Sequence, residues 1–380
     1  MAEVVSVVDK LNNTDMQPEC LSEFLGAMIN LLSQCAKDAN NADKTCTETI
    51  KSIRADESIA LVPTDKTSRM IALNKMEYDD MLHAATLSTG NFKITKKIQP
   101  TTQRAYFNKS ITKIANKYTT SNPTISNSLS KLKCSNPVPS SPYVLPKNHK
   151  IGPLKVRPIV AALDCRGNKL SKFMSNKLNS LMPFIPSFIK DANDLLNKLN
   201  DTDLSLVTSF GCFDVVNLYG SIPRIKRSTE DFDLKDAIKT FYSDFAHYDL
   251  FLSKLHVEDF CELVDLSISK DTILYHEQHF TQQNGISMGS PIAPQLAIIY
   301  MHYVEQQILA SNPSILKWWR YIDDIFVLVE NDVTSKLLQP IKLTLEQPNQ
   351  SNFLPFLDIE ISIHHGTFES KLYMKPQHSG

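Results

Sequence analysis

The chain has 380 residues, 42% of them hydrophobic and 21% charged, with seven cysteines and a formal net charge of −1 at pH 7. Such a composition is globular and too long for one small core, so two or three substructures are expected. No secretory leader is expected from Met1-Ala2-Glu3-Val4-Val5, no run of about 18 apolar residues suggests a membrane span, and no CxxC metal knuckle occurs; the scattered cysteines suggest reduced thiols, and an intracellular protein, in nucleus or cytoplasm and not secreted, is expected.

The charge is segregated. Residues 91–180 hold 17 Lys and Arg against one acid, Asp164, a net +16, while the remainder holds 23 basic and 40 acidic residues, a net −17. A basic lobe neutralises phosphates and releases their counterions. An acidic remainder suits a site that collects cations. The plainer reading is a solvated basic face.

Residues 1–57 read as a polar helical segment, with Leu21, Phe24, Leu25, Met28, Leu31 and Leu32 at helical spacing. Ile59–Pro63 and Met70–Leu73 read as strands around a turn carrying Lys66 and Arg69. Lys109–Leu132 is basic and helical, broken near Asn122-Pro123. Tyr143–Lys147 and Val156–Val160 form a second strand pair, with His149, Lys150 and Gly152 between them. Lys147 offers a point charge and Arg157 a fixed fork of donors, both suited to a triphosphate. Pro158 holds Arg157 extended and puts its strand at an edge or irregularity. A helix over Asn168–Leu181 follows.

Leu204–Phe210 leads into a strand that delivers Asp214 near its end, with Tyr219 five residues on. Gln283–Pro291 is a Gly-rich turn entering an apolar helix, Gln295 to about Leu309. Gly285 and Gly289 allow close approach of a nucleotide or base pair, although an ordinary loop-to-helix junction explains them as well. Tyr321-Ile322-Asp323-Asp324 lies between two apolar arms and reads as a β-hairpin with carboxylates at its turn. Taken alone, that pair is also what a solvated turn looks like. Together, Asp214 and Asp323 on adjacent strands suit a metal pair about 3.5–4 Å apart, the arrangement of in-line phosphoryl transfer.

These motifs, in this order, resemble the palm of reverse transcriptases. The finer strings Tyr143-Val-Leu-Pro-Lys-Asn-His-Lys150, Arg157-Pro-Ile-Val160, Phe213-Asp-Val-Val-Asn-Leu-Tyr219, Met288-Gly-Ser-Pro291, Trp319-Arg-Tyr-Ile-Asp-Asp324, Phe356-Leu-Asp-Ile-Glu360 and Leu372-Tyr-Met-Lys-Pro376 are similar to those of the Penelope-like retroelement family. Telomerase reverse transcriptase is the nearest relative class. The resemblance covers roughly residues 58–376 and implies that Asp214 and Asp323 bind two catalytic Mg²⁺ ions, or Mn²⁺ in their place, with Asp324 as the supporting carboxylate. It makes Tyr219 a steric gate against a 2′-hydroxyl, Lys147 and Arg157 triphosphate contacts, and Gln283–Gly289 a template-tracking loop. It places Lys342 near the nucleotide as a proton donor to pyrophosphate. Phe356, Leu357 and Asp358 resemble the primer-grip hairpin, Asp358 reading by itself as a structural turn residue.

This chain departs from the family where Asp65-Lys66-Thr67 stands for Asp-Lys-Gly, and where Ala293-Pro294 replaces a Ser-Pro after the Gly-Ser-Pro loop. It reaches Gly380 where a thumb would begin, so a truncated thumb is expected, without GIY-YIG endonuclease or linker zinc finger. The expected fold is α/β (α+β), a right-hand polymerase: helical extension 1–57, basic fingers 58–190, palm 191–350, and primer-grip hairpin with the start of a thumb 351–380. The implied function is RNA-directed DNA polymerisation from a primer 3′-hydroxyl, with RNA template, DNA primer and dNTPs as partners and no membrane. Two rivals stand beside it: a catalytically impaired nucleic-acid-binding remnant of a retroelement, and an RNA-templated RNA polymerase, which a bulky Tyr219 disfavours.

Overall fold

The computed structural model describes residues 51–53, 55–65, 70–97, 99–135, 138–147, 154–161, 167–224, 233–268, 272–330 and 342–373. The expected helix containing Leu21–Leu32 and the turn residues Lys66, Arg69, His149, Lys150 and Gly152 lie outside them. In chain order the elements begin with β1 (Ile59–Pro63), β2 (Met70–Asn74), α1 (Lys75–Ala85), β3 (Phe92–Thr95), α2 (Pro100–Lys117) and α3 (Pro123–Ser130). There follow β4 (Ser141–Pro146), β5 (Val156–Ala161), α4 (Asn168–Asn179), α5 (Ala192–Asn200), β6 (Ser209–Val215), α6 (Leu218–Ser221), α7 (Leu234–Phe245) and α8 (Val257–Ile268). The last are β7 (Thr272–Tyr275), β8 (Gln278–Gln282), α9 (Ala293–Ser311), β9 (Ile315–Tyr321), β10 (Asp324–Val329), β11 (Leu343–Glu346), β12 (Leu354–Phe356), β13 (Ile359–His364) and β14 (Thr367–Leu372). Among the described residues no helix is long and apolar enough to cross a membrane.

The chain divides into two compact units, Met1–Phe92 with Pro142–Val160, and Lys93–Ser141 with Ala161–Gly380. In the first, β1 pairs antiparallel with β2, and β4 is hydrogen-bonded to β5. Tyr78 of α1 is buried, and its hydroxyl accepts from the Val144 N–H at 3.2 Å, tying the helix to the second hairpin.

The second unit is built on an antiparallel sheet of order β11-β6-β10-β9. Its central strands β6 and β10 are apolar on both faces over most of their length, because both faces are covered there. Alternation sends Phe213, Val215, Trp318, Ile325 and Val327 into a large core filled by helices, among them α9. It sends Phe210, Cys212, Trp319, Phe326 and Leu328 into a second core, closed by Leu354, Phe356, Ile361 and Ile363 from the sheet β12-β13-β14. Helix α9 is mostly buried from Ala293 to Glu305, where its residues are largely apolar, and is exposed at Gln306, Gln307 and beyond Ile308. Asn122 caps α3 through its side chain and Pro123 opens it, which is why the helical stretch breaks there.

Two expectations shift. The strand read from Leu204 begins at Ser209, because Leu204 is taken up in a turn, its carbonyl accepting the Val207 N–H at 3.1 Å. Helix α9 is longer than periodicity indicated, starting at Ala293, since Pro294 is tolerated in the first turn.

Phe326 is fully buried between the two sheets, with its ring 5.5 Å from that of Phe356 in an edge-on contact. Phe326→Ala therefore lowers stability by about 3–5 kcal/mol. A urea titration followed by circular dichroism measures it as a lower midpoint.

Candidate active site

The register of two strands assembles the carboxylates. In the β6–β10 ladder Asp324 stands directly opposite Asp214. Both have the parity of Cys212 and Phe326, so they share the face that farther along the strands becomes the second core. Asp214 is exposed and Asp323 and Asp324 are half-buried, so all three reach solvent. On the other side of β6, Thr344 stands opposite Asp214 and Glu346 opposite Cys212, which adds a further exposed carboxylate to that face. Burial first, then the charges of Glu346 and Asp324, push the Cys212 thiol well above its ordinary pKa. That thiol stays protonated and inert beneath the acidic rim.

Asp323 sits in the two-residue loop between β9 and β10, closed by the Tyr321–Asp324 pair. Its carbonyl accepts the Val215 N–H at 3.1 Å, which ties the turn to the end of β6. The preceding residue, Ile322, has φ +53°. A β-branched residue in the left-handed region is an outlier that surrounding structure must hold in place.

That support comes from beneath the sheet. Arg320 is fully buried and forks between Glu305 of α9, the Ile298 carbonyl at 3.1 Å and the Ile322 carbonyl at 3.1 Å. Glu305 is completed by the Trp318 indole N–H at 2.8 Å and the Ser187 hydroxyl at 2.6 Å. Burial holds the nearby His302 imidazole below its ordinary pKa. Sequence reasoning gave Arg320 and Glu305 no role. The available signal was the one acid inside the mostly apolar stretch Leu296–Glu305, where a lone charge requires a partner.

Tyr219 lies in the single-turn α6, half-buried against the large core. The Gly-rich loop is bonded straight onto it: the Ile286 N–H donates to the Tyr219 carbonyl at 2.7 Å and the Gly285 N–H to the Ile222 carbonyl at 3.0 Å. The Gly285 carbonyl in turn accepts from Arg224 Nε at 2.7 Å. Gly285 has φ +71°, and a Cβ there would lie 2.9 Å from the Tyr219 carbonyl oxygen. The close approach that Gly285 permits is therefore to the chain's own backbone. Gly289 also has a left-handed backbone, φ +115°.

Lys342 is exposed just before β11, and its carbonyl accepts the Val216 N–H at 3.0 Å, beside the Asp214 strand. In the expected primer-grip hairpin, Phe356 is buried in the second core, Leu357 is half-buried with φ +54°, and Asp358 is exposed. The Asp358 carbonyl accepts the Tyr373 N–H at 2.9 Å, a structural use. Lys147 and Arg157 belong to the first unit. There Arg157 Nη1 lies 3.0 Å from Asp65 Oδ1, a carboxylate only 3% exposed. Asp65, first noticed only as part of an altered turn, is thus the group that orients Arg157.

Among the described residues no three Asp, Glu, His or Cys side chains converge to hold one metal ion. The donor set still fits hard divalent cations: only carboxylate oxygens, two in register and one in the adjoining turn. A cleft of about 720 Å³ lies elsewhere, lined by Ile94, Leu274, Gln278 and His279 among others, and no expected site residue is in its wall.

An acidic hairpin on an antiparallel sheet, backed by helices and followed by a small three-stranded sheet, defines a polymerase palm. Residues 145–354 match the reverse transcriptase (RNA-dependent DNA polymerase) family, and the chain belongs to it. The fold is similar to that of telomerase from Candida albicans, solved in complex with a fragment of telomeric RNA, at 10% identity and TM-score 0.51, covering 84% of this chain and 55% of that one. It is also similar to apo telomerase from Candida tropicalis, at 11% identity and TM-score 0.51, covering 84% and 57%. This chain thus spans little more than half the length of those telomerases, and at such identities the likeness shows the right-hand fold alone. No curated protein matches the sequence.

Gly285→Ala forces a Cβ against an immovable carbonyl and a left-handed backbone onto alanine. The expected loss is about 1–3 kcal/mol, read as a lower melting temperature by differential scanning calorimetry.

Proposed function

We propose that this chain is an RNA-directed DNA polymerase that extends a primer 3′-hydroxyl with dNTPs on an RNA template, acting inside the cell in a retroelement of the Penelope-like kind. The observation that carries it is the pairing of Asp214 with Asp324 on one face beside the Asp323 turn. Carboxylates this close repel one another until cations neutralise them. Asp214 and Asp323 would hold two Mg²⁺ ions, or Mn²⁺ in their place, with Asp324 in support. Bound there, the ions would neutralise the charge developing on the transferred phosphoryl group and lower the pKa of the primer hydroxyl.

The chain's own groups supply position. Tyr219, fixed from behind by the Ile286 N–H, is proposed to crowd the sugar C2′ and exclude a hydroxyl. Gly285 lets the loop pack directly on the Tyr219 backbone, and Gly289 is proposed to let a base lie against the loop. Lys342 is proposed to give a proton to departing pyrophosphate, which needs only its exposed ammonium. Lys147 and Arg157 are proposed as contacts to the nucleotide triphosphate, the latter oriented by its ion pair with Asp65. Leu357 and Asp358, at the tip of a hairpin anchored by Phe356, are proposed to meet the primer.

Primer extension on poly(rA)/oligo(dT) with dTTP and Mg²⁺ tests this reading. Asp214→Asn and Asp323→Asn are each expected to abolish extension while leaving the melting temperature and template binding near parent values. Retained extension in both would remove the carboxylate assignment. Retained binding with no extension by the parent would favour the nucleic-acid-binding remnant.

Tyr219→Val tests the gate. The expected outcome is greater use of UTP relative to dTTP with a modest loss of dTTP incorporation. The discrimination lost is on the order of a few kcal/mol, as for a steric mismatch in a built site. An unchanged ratio in a stably folded variant would make Tyr219 a packing residue of the palm, as its place against the core allows.

A further inference from the structure

The catalytic assignment leaves unused a charged pair on the opposite face of the palm sheet. We propose that Arg320, anchored by Glu305, is a positioning residue that clamps the Ile322–Asp323 turn and thereby fixes the carboxylates of Asp323 and Asp324. Its catalytic consequence rests on the polymerase reading above. The clamp itself does not.

The Ile322 carbonyl and the Asp323 N–H belong to one peptide plane, and the Asp323 carbonyl and Asp324 N–H to the next. Arg320 Nη1 holds the first by donating to the Ile322 carbonyl at 3.1 Å. The Val215 N–H of β6 holds the second by donating to the Asp323 carbonyl at 3.1 Å. Asp323 is thus pinned on both sides, once from the neighbouring strand and once from below. The lower contact bears on the one residue of the turn whose φ, +53°, is unfavourable for its side chain. Loss of that contact leaves Ile322 free to relax, and Asp323 moves with it.

A stability role alone explains this arrangement poorly. A buried ion pair gains little over apolar residues of the same volume, because desolvation offsets the attraction. Here the pair is fully satisfied: Trp318 and Ser187 complete Glu305, and the Ile298 carbonyl takes another guanidinium proton. The one contact that reaches the acidic hairpin is the one to Ile322. It also needs a planar fork, since one side chain must serve Glu305 on α9 and a carbonyl beyond the end of its own strand. An ammonium cannot span both.

The experiment uses Arg320→Lys, which keeps a cation beside Glu305 and gives up the fork. Amide hydrogen exchange over residues 321–324 is the main readout, since it needs neither metal nor activity. The expected result is exchange about tenfold faster in the turn, with β6, α9 and the melting temperature close to parent values. On poly(rA)/oligo(dT), kcat for dTTP is expected to fall by about 100-fold with KM little changed, as for misplacement of reacting groups. If Arg320→Lys does not fold, the double variant Arg320→Met with Glu305→Gln removes both charges at similar volume and is read in the same way. Parent-like exchange at the turn in a folded variant overturns the proposal. So does global unfolding of both variants, which would make Arg320 a residue that holds the fold as a whole. A parent that extends no primer would defeat the polymerase reading, while the exchange data would still judge the clamp.

Discussion

The antiparallel pairing of β6 with β10 is the constraint on which the rest of the second unit depends. Side chains alternate along a strand with a period of two, so a slip of one residue would move every side chain of β10 to the other face. Asp324 would leave Asp214, and Phe326 and Leu328 would leave the second core. The register is held by burial: Phe213 and Ile325 enter one core, Cys212 and Phe326 the other. Each is too apolar to accept solvent. The acidic rim is therefore a by-product of packing on two sides. The carboxylates occupy the places where those apolar columns run out.

Much of this was legible in the sequence. The apolar arms around Tyr321–Asp324 gave the hairpin, and the order of the Asp214 strand, Gly-rich loop and acidic turn gave the palm. The break at Asn122-Pro123 declared itself through capping chemistry. What sequence could not supply was pairing. Nothing in the strand Ser209–Val215 states that it is flanked by β10 on one side and β11 on the other, so the placing of Thr344 and Glu346 beside the site was not foreseen. The sheet of β3, β8 and β7 was missed for a related reason: its short strands, Phe92–Thr95, Thr272–Tyr275 and Gln278–Gln282, mix polar and apolar residues, and β3 lies far from its partners in sequence.

The buried ions were illegible for a different reason. Periodicity treats every charged residue as an outward-facing one, and Arg320 and Glu305 both break that rule. Their partnership spans a helix and a strand and includes a serine more than a hundred residues away. The same holds in the first unit, where Asp65 is hidden beneath Arg157. In both units a guanidinium is oriented by a nearly inaccessible carboxylate that pattern reading passed over, and in the second unit the arginine was passed over with it.

Two hairpins of the second unit share a peculiarity. Each closes with a two-residue loop whose first residue has a positive φ and a large aliphatic side chain, Ile322 in one and Leu357 in the other. Glycine is the residue such positions ordinarily take. Selection for heat resistance alone would recruit glycine to both sites, and would do so cheaply. The result would be a hardier chain with looser hairpin tips, since glycine relieves strain by admitting other conformations. Thermal endurance and fidelity of alignment are thus set against each other at two identifiable codons, and a lineage under pressure for one should drift there at the expense of the other.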